Sequence, residues 1–266
     1  MKRALLMVSF GTSYPETLEK NIAAIEGEAA AAFPGWTVRR AFTSGMILRK
    51  LAQRDGLALD DVPAALTRLA AEGFEAVVIQ PTHIMNGDEY DKLCAQAAPF
   101  GGQFAHFAVG RPLLTAAGDY RAAAEGVMAS LPAPAEGEAL VFMGHGTGHH
   151  ANAAYTQLEY VFHDLGWKRV FVGTVEGYPA LEEVLRRLKE CPAVRRVILH
   201  PFMVVAGDHA VNDMAGPEPD SWKSCLERAG YEVTCVLKGL GEYPALRALF
   251  LAHAQTAGAG TSVFAG

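Results

Sequence analysis

The strongest constraint on the fold is an alternation of short, continuous apolar runs with longer helical patterns. Seven such runs occur, at residues 5–10, 37–42, 76–81, 140–143, 170–173, 197–201 and 232–237. Their apolar residues are consecutive rather than alternating, which is typical of parallel strands covered by helices on both faces. Residues 13–16 have capping-box spacing, and residues 60–63 place two aspartates and a proline at a helix start. The pattern predicts an α/β fold with doubly wound parallel sheets.

The chain divides into two halves that follow one plan. Three short matches recur in the same order after strands of each half: residues 9–13 with 144–148, 41–45 with 172–177, and 80–89 with 200–209. Between the halves, residues 131–138 are rich in Pro, Ala and Glu, as expected for a linker. We therefore predict duplication of one α/β unit, although chance similarity between two such units is the alternative. The expected bounds are 1–130 and 139–256, followed by a tail at 257–266.

Side chains of the metal-ligand type follow the strands of the second half only. At the three matched positions the second half carries His145, Glu176 and His209. Ligands of open α/β sheets bind outside the carboxyl ends of the strands, so we expect these side chains to converge there. Two imidazoles and one carboxylate suit a borderline divalent ion with positions left open for a substrate. Taken singly, each residue has a structural interpretation, a hydrogen-bonded histidine or a helix-capping glutamate. The match at three strand ends favours a metal site.

The remaining polar residues near these motifs divide into structural and substrate-binding candidates. His149 and His150 diverge on a helix, so both cannot join His145 around one ion. His200 lies inside an apolar run and is interpreted as a buried, hydrogen-bonded core residue. The candidate substrate-binding residues of the first half are Phe10, Ser44, His83 and Glu89, of which Phe10, Ser44 and Glu89 match the three metal-ligand positions.

Composition and missing motifs exclude several other classes of function. The formal charge is −6 with no Lys/Arg cluster, which argues against nucleic acid as a partner. The four cysteines include no C-x-x-C pair, so we expect reduced thiols rather than a thiolate metal site. Neither a P-loop nor G-x-G-x-x-G follows the first strand. The apolar start lacks a cleavage site, and no apolar run is long enough to span a bilayer. We therefore expect a cytoplasmic protein without a membrane partner.

At these motifs the chain resembles the anaerobic sirohydrochlorin cobaltochelatases of the CbiK type, relatives of the class II chelatases that include ferrochelatase. The resemblance runs from residues 6–13 to 241–246 and is most specific at 143–147, 173–179 and 201–214. It implies two Rossmann-like halves around a cleft, with His145, Glu176 and His209 holding the metal and His145 also serving as a base.

The activity that this resemblance implies is that of a lyase-class metal chelatase in anaerobic cobalamin biosynthesis. Such an enzyme inserts Co²⁺, its substrate metal, into sirohydrochlorin or a related early tetrapyrrole, and no organic cofactor is expected. Some members of the family are exported and bind haem. Because this chain shows no export signal, haem is not carried over to it.

Two other functions stay open at this level. The same site would suit an iron or nickel chelatase, because a His–Glu–His set does not select among divalent ions. A non-catalytic carrier of a metal or a tetrapyrrole would also suit a two-lobed cleft. A homo-oligomer is likewise left open. The carboxylates of the macrocycle need cationic or amide partners, although each cationic candidate is otherwise an ordinary surface charge. These candidates are Arg49, Lys50, Arg54 and Arg111.

Overall fold

A computed structural model describes residues 1–259, which form two separate four-stranded parallel sheets. The strands are β1 (Arg3–Ser9), β2 (Thr37–Phe42), β3 (Ala76–Pro81), β4 (His106–Val109), β5 (Glu138–Gly144), β6 (Val170–Thr174), β7 (Arg196–Pro201) and β8 (Glu232–Cys235). The strand order is β2-β1-β3-β4 in the first sheet and β6-β5-β7-β8 in the second. The predicted α/β class with parallel sheets is confirmed.

Helices connect the strands throughout the described residues. The α-helices are α1 (Pro15–Thr17), α2 (Ala24–Ala32), α3 (Gly45–Asp55), α4 (Val62–Ala71), α5 (Asp88–Ala97), α6 (Ala117–Met128), α7 (Ala153–Asp164), α8 (Leu181–Lys189), α9 (Trp222–Arg228) and α10 (Pro244–Gly258). Leu18–Ala23 and Ala210–Met214 are π-helical, and Ala98–Gln103, His150–Asn152 and Leu240–Glu242 are 3₁₀-helical. Within residues 1–259, every helix is too short or too polar to cross a membrane.

The central strands of each sheet are buried on both faces, which explains their continuous apolar runs in the sequence. In β1, Ala4, Leu6 and Val8 belong to a core that also contains the apolar side chains of α4. Leu5 and Met7 point to the opposite face of the sheet and are equally inaccessible to solvent. A central strand with no solvated face has no position where a polar side chain without a hydrogen-bond partner would be stable, so apolar residues occupy both faces and the sequence does not alternate.

Two local predictions were wrong. The short edge strand β4 was not predicted, because four residues that follow a Gly-Gly pair carry too little pattern to identify a strand. The predicted capping box at residues 13–16 does not form, since Tyr14 is the N-cap of α1 and makes no side-chain cap hydrogen bond. The predicted start of α4 is confirmed, because the Asp61 carboxylate accepts a hydrogen bond from the Ala64 amide at 2.9 Å.

Contacts within the chain divide it into two units, Met1–Thr115 with α10 and Ala116–Tyr243. These bounds differ from the predicted halves 1–130 and 139–256 by the exchange of two helices. Helix α6 packs on α7 of the second unit, and α10 packs on β3, β4 and α2 of the first. The predicted tail 257–266 begins inside α10, and its residues 260–266 lie outside the described part of the chain.

The registers of the two sheets match each other. Val8 in β1 pairs with Pro81 in β3, and Met143 in β5 pairs with Pro201 in β7. The amide that follows each proline then donates to the carbonyl of the paired β1 or β5 residue, at 2.8 Å in the first unit and 2.7 Å in the second. The same strand order and the same register support the predicted duplication of one α/β unit.

His200 is a buried core residue with a partner for each ring nitrogen. Nδ1 lies 2.8 Å from the Pro201 carbonyl oxygen, and Nε2 lies 2.6 Å from the Tyr243 hydroxyl. Burial lowers the pKa of His200 to about 4 and raises the pKa of Tyr243 to about 12. The imidazole is therefore neutral at pH 7, donates from Nδ1 and accepts at Nε2 from the phenol. The structural interpretation of His200 is confirmed.

Removing the phenol oxygen should leave a buried acceptor on His200 without a partner. We expect Tyr243→Phe to lower the free energy of unfolding by about 1–3 kcal/mol, measured by urea denaturation. Tyr160 is 72% exposed, so the matched Tyr160→Phe change should stay within about 0.5 kcal/mol of wild type. Equal stabilities for the two variants would contradict the assignment.

Candidate metal centre

Three side chains with metal-ligand atoms meet at the carboxyl edge of the second sheet. His145 directly follows β5, Glu176 lies two residues beyond β6, and His209 follows β7. One ligand atom from each lies within 4.8 Å of the other two. His145 Nδ1 is 3.7 Å from a Glu176 carboxylate oxygen, and the His145 and His209 ring centroids are 4.5 Å apart. The structure thus brings together the three residues that the sequence singled out.

Hydrogen bonds between the loops fix the spacing of His145 and Glu176. The Glu176 amide donates to the His145 carbonyl at 2.8 Å, which continues the ladder between β5 and β6 beyond the strands. The Asn152 side chain accepts from the Thr147 amide at 3.0 Å and donates to the Tyr178 carbonyl. One side chain therefore links the loop after β5 to the loop after β6. These bonds fix the backbone of both candidate ligands.

The backbone next to His145 is confined by close packing. Gly146 has φ +84°, and a Cβ there would lie 2.6 Å from the Gly177 amide nitrogen, so only glycine is accommodated. The buried Tyr155 ring packs against this loop, because a Cβ at Gly144 would lie 2.2 Å from it. Burial raises the pKa of Tyr155 to about 12, against the opposing effect of the His145 and Gly146 amides. Tyr155 therefore keeps its proton while it holds the loop.

Each histidine ring is oriented through its Nδ1 atom. His209 Nδ1 lies 2.6 Å from an Asp213 carboxylate oxygen, and His145 Nδ1 lies 2.9 Å from the Gly146 carbonyl oxygen. With Nδ1 engaged as a donor, Nε2 of each ring is left as the acceptor available to a metal ion. Asp213 was missed at the sequence level. Its signal was the i, i+4 spacing from His209 on a helical turn.

The chemistry of the three side chains fits a divalent cation. The side chains of His145, Glu176 and His209 are 43%, 56% and 32% exposed, so an ion and a bulky ligand can reach them. Two neutral imidazoles and one carboxylate leave a divalent ion with a net charge of about +1, which keeps it electrophilic. Metal–ligand bonds of about 2.0–2.2 Å separate two ligand atoms by at most about 4.4 Å. The observed spacing needs only a small closure around an ion.

Among the residues that the structure describes, the corresponding edge of the first sheet carries no such set. The Ser44 amide donates to the Phe10 carbonyl at 3.2 Å, so these two residues occupy the places that Glu176 and His145 hold in the second unit. Phe10 is 43% exposed. The buried Ser44 hydroxyl accepts from the Ile47 amide at 3.3 Å and caps α3. The structure therefore gives Ser44 a capping role, and its predicted contact with substrate stays a prediction.

His83 and Glu89 lie near each other in the first unit. Both His83 ring nitrogens are buried without a hydrogen-bond partner among the described residues, as is Glu89 Oε2. Burial lowers the pKa of His83 to about 4; Glu89 acts in the opposite direction and Lys92 in the same direction. Glu89 Oε1 is 3.6 Å from the Lys92 ammonium. A neutral imidazole and a free carboxylate oxygen suit a ligand, and this role stays a prediction.

His149 and His150 lie outside the ligand cluster. His149 Nδ1 accepts from the Ala151 amide at 3.1 Å and caps the short helix His150–Asn152. The two rings are 4.0 Å apart. Neither contributes an atom to the group around His145, in agreement with the structural interpretation.

Two similar four-stranded parallel sheets flanked by helices define the class of protein as a two-half α/β chelatase fold. The solved structure of the sirohydrochlorin chelatase SirB from Bacillus subtilis subspecies spizizenii, in complex with cobalt, has a similar fold, with a TM-score of 0.64. At 13% identity it covers 98% of this chain and 97% of that one. This likeness concerns the fold alone.

Sequence comparison identifies the family. The profile of the cobalt chelatase (CbiK) family matches residues 3–258, and the chain belongs to this family. It is 46% identical over 257 residues to the sirohydrochlorin cobaltochelatase of Salmonella typhimurium, covering 97% of each chain. It is 36% identical over 259 residues to the sirohydrochlorin cobaltochelatase CbiKC of Nitratidesulfovibrio vulgaris, covering 96% of this chain and 90% of that protein.

The hydrogen bond between His209 and Asp213 should tune metal binding. Asp213→Asn removes the anionic acceptor, so we expect Co²⁺ affinity to fall about 10- to 100-fold, measured by calorimetric titration. Asp208→Asn is the matched control, because it removes a neighbouring charge whose side chain contacts Asn212. Equal losses in both variants would indicate a general charge effect instead.

Proposed function

We propose that this protein is a lyase-class chelatase that inserts Co²⁺ into sirohydrochlorin for cobalamin biosynthesis. The observation that carries the proposal is the meeting of His145, Glu176 and His209 at one sheet edge. The family match and the 46% identity to a sirohydrochlorin cobaltochelatase support the choice of metal and macrocycle. A panel of divalent ions offered with sirohydrochlorin, followed by absorbance, tests both choices together.

The reaction replaces two pyrrole N–H protons with one Co²⁺ ion, so the site must hold a cation and accept protons. Neutral imidazole can do either near pH 7. His209, backed by the Asp213 carboxylate, is suited to remain a metal ligand. His145 Nδ1 donates to the neutral Gly146 carbonyl at 2.9 Å, and the Glu176 carboxylate is farther away at 3.7 Å, so His145 is the better candidate for the base that receives a pyrrole proton. Glu176 offsets part of the charge of the arriving cation.

Exposed apolar side chains beside two of the ligands favour a flat macrocycle as the second substrate. Tyr178 lies two residues after Glu176 and is 69% exposed, and Val211 lies two residues after His209 and is 39% exposed. Large exposed apolar side chains next to polar groups are typical of ligand sites. We further propose that residues of the first unit contact the macrocycle. These are Phe10, Ser44, His83 and Glu89.

Removing any of the three ligands should abolish insertion and leave the fold intact. His145→Ala, Glu176→Ala and His209→Ala remove side chains that are half-buried or exposed and lie outside the core, so we expect activity to fall at least about 100-fold with an unchanged circular dichroism spectrum. His106→Ala and Glu190→Ala are matched changes at exposed positions and should retain activity. Phe10→Ala should mainly raise KM for the macrocycle. Wild-type turnover in a ligand variant would remove that residue from the site.

Metal and protons should compete for the imidazole nitrogens. We expect activity to fall as the pH drops, because a protonated imidazole can neither bind the ion nor accept a pyrrole proton. Because cobalt displaces those protons, a higher cobalt concentration should move the acidic limb of the profile to lower pH. A limb that stays fixed across a wide range of cobalt concentrations would mean that this competition does not set the profile. The free macrocycle must be titrated alongside as the control.

A further inference from the structure

Helix α3 belongs to a segment that the second unit lacks. The Phe42 amide donates to the Asp60 carbonyl at 3.0 Å, and the Thr174 amide makes the equivalent bond to the Pro179 carbonyl at 2.7 Å. Seventeen residues, 43–59, lie between the bonded pair in the first unit, against four, 175–178, in the second. The first unit therefore carries thirteen additional residues, and α3 lies within them.

Both ends of α3 are attached to the carboxyl edge of the first sheet. Its N-terminus is capped by Ser44, two residues beyond β2. At its other end, the Arg54 guanidinium donates to the Ser13 carbonyl at 2.7 Å, in the loop after β1. The Lys50 ammonium lies 6.0 Å from the centre of the Tyr14 ring in the same loop. Helix α3 thus lies across the edge at which ligands of α/β sheets bind.

The exposed face of α3 carries a shallow, open basic groove between its own side chains, lined by Met46, Arg49, Lys50, Gln53 and Arg54. Arg54 is paired with Asp55. Arg49 and Lys50 have no carboxylate within 4.0 Å among the described residues. Adjacent cations without counterions are notable in a chain whose net charge is −6. They create a local positive potential that favours an anionic ligand.

We propose that this groove binds the acetate and propionate carboxylates of the tetrapyrrole, a role that rests on the proposed function. A guanidinium can form two parallel hydrogen bonds with one carboxylate, and the Lys50 ammonium and Gln53 amide supply further donors. Met46 is 63% exposed and offers a flexible apolar contact for the methylene groups of the same side chains. The groove would therefore distinguish carboxylate-rich macrocycles from those with few or esterified acids.

The test measures binding of metal-free sirohydrochlorin to the full chain, without turnover. We expect the double variant R49E/K50E to raise Kd about ten-fold or more and to reduce the dependence of Kd on NaCl concentration. R49K/K50R keeps both charges and should remain within a few-fold of wild type. The matched control is K168E/K189E, which reverses two exposed lysines of the second unit. Co²⁺ affinity should be unchanged in all variants, because the metal ligands are untouched.

The outcomes separate this site from the proposed reaction. An unchanged Kd and salt dependence in R49E/K50E would contradict carboxylate binding in the groove, even if the wild type inserts cobalt. An equal rise in K168E/K189E would also overturn it, because only net charge would then matter. A selective loss of binding supports the groove. If R49E/K50E shows this selective loss but the wild type inserts no cobalt in a parallel assay, the proposed reaction fails while the carboxylate site stands.

Discussion

Parallel strand pairing is the constraint on which the candidate site depends. Because all strands of a sheet run in one direction, their carboxyl ends share an edge, and the loops that follow them are neighbours. The bond from the Glu176 amide to the His145 carbonyl extends this pairing beyond the strands. Residues far apart in sequence are thereby brought within reach of one ion. The buried, apolar strands make the position of this edge insensitive to the chemistry of its loops.

The sequence was sufficient for seven of the eight described strands and for the convergence of the three candidate ligands, because both depend on patterns along the chain. A buried parallel strand shows as a continuous apolar run, and a strand end shows as the residue after it. Asn152 and Tyr155 could not be found in this way, since each acts on loops that only the folded chain brings to it. The bounds of the two units could not be predicted from the sequence for the same reason. Whether α6 or α10 packs on one sheet or the other is decided by contacts that no local pattern records.

Duplication explains why one edge suits a metal and the other does not. The equivalent backbone bond joins Ser44 to Phe10 in the first unit, so the scaffold is the same in both. Ser44, at the position equivalent to Glu176, caps α3 with its hydroxyl, and the second unit lacks this helix. The additional segment therefore changes both the shape and the charge of its edge. The two units thus share one backbone plan, and their loops alone give it two different surfaces.

His145 and His209 differ in the group that accepts a hydrogen bond from Nδ1, and this difference suits them to different roles. A carboxylate behind Nδ1 makes Nε2 a stronger donor to a cation, and it holds the ring in one orientation. Asp213 gives His209 this support at 2.6 Å, whereas His145 Nδ1 donates to the Gly146 carbonyl at 2.9 Å and has its nearest carboxylate, that of Glu176, at 3.7 Å. An enzyme that inserts a metal must also release it, so at least one ligand has to exchange the ion readily. The weaker backing of His145 and the exposure of its side chain suit that exchange, whereas the carboxylate behind His209 suits a ligand that holds the ion longer.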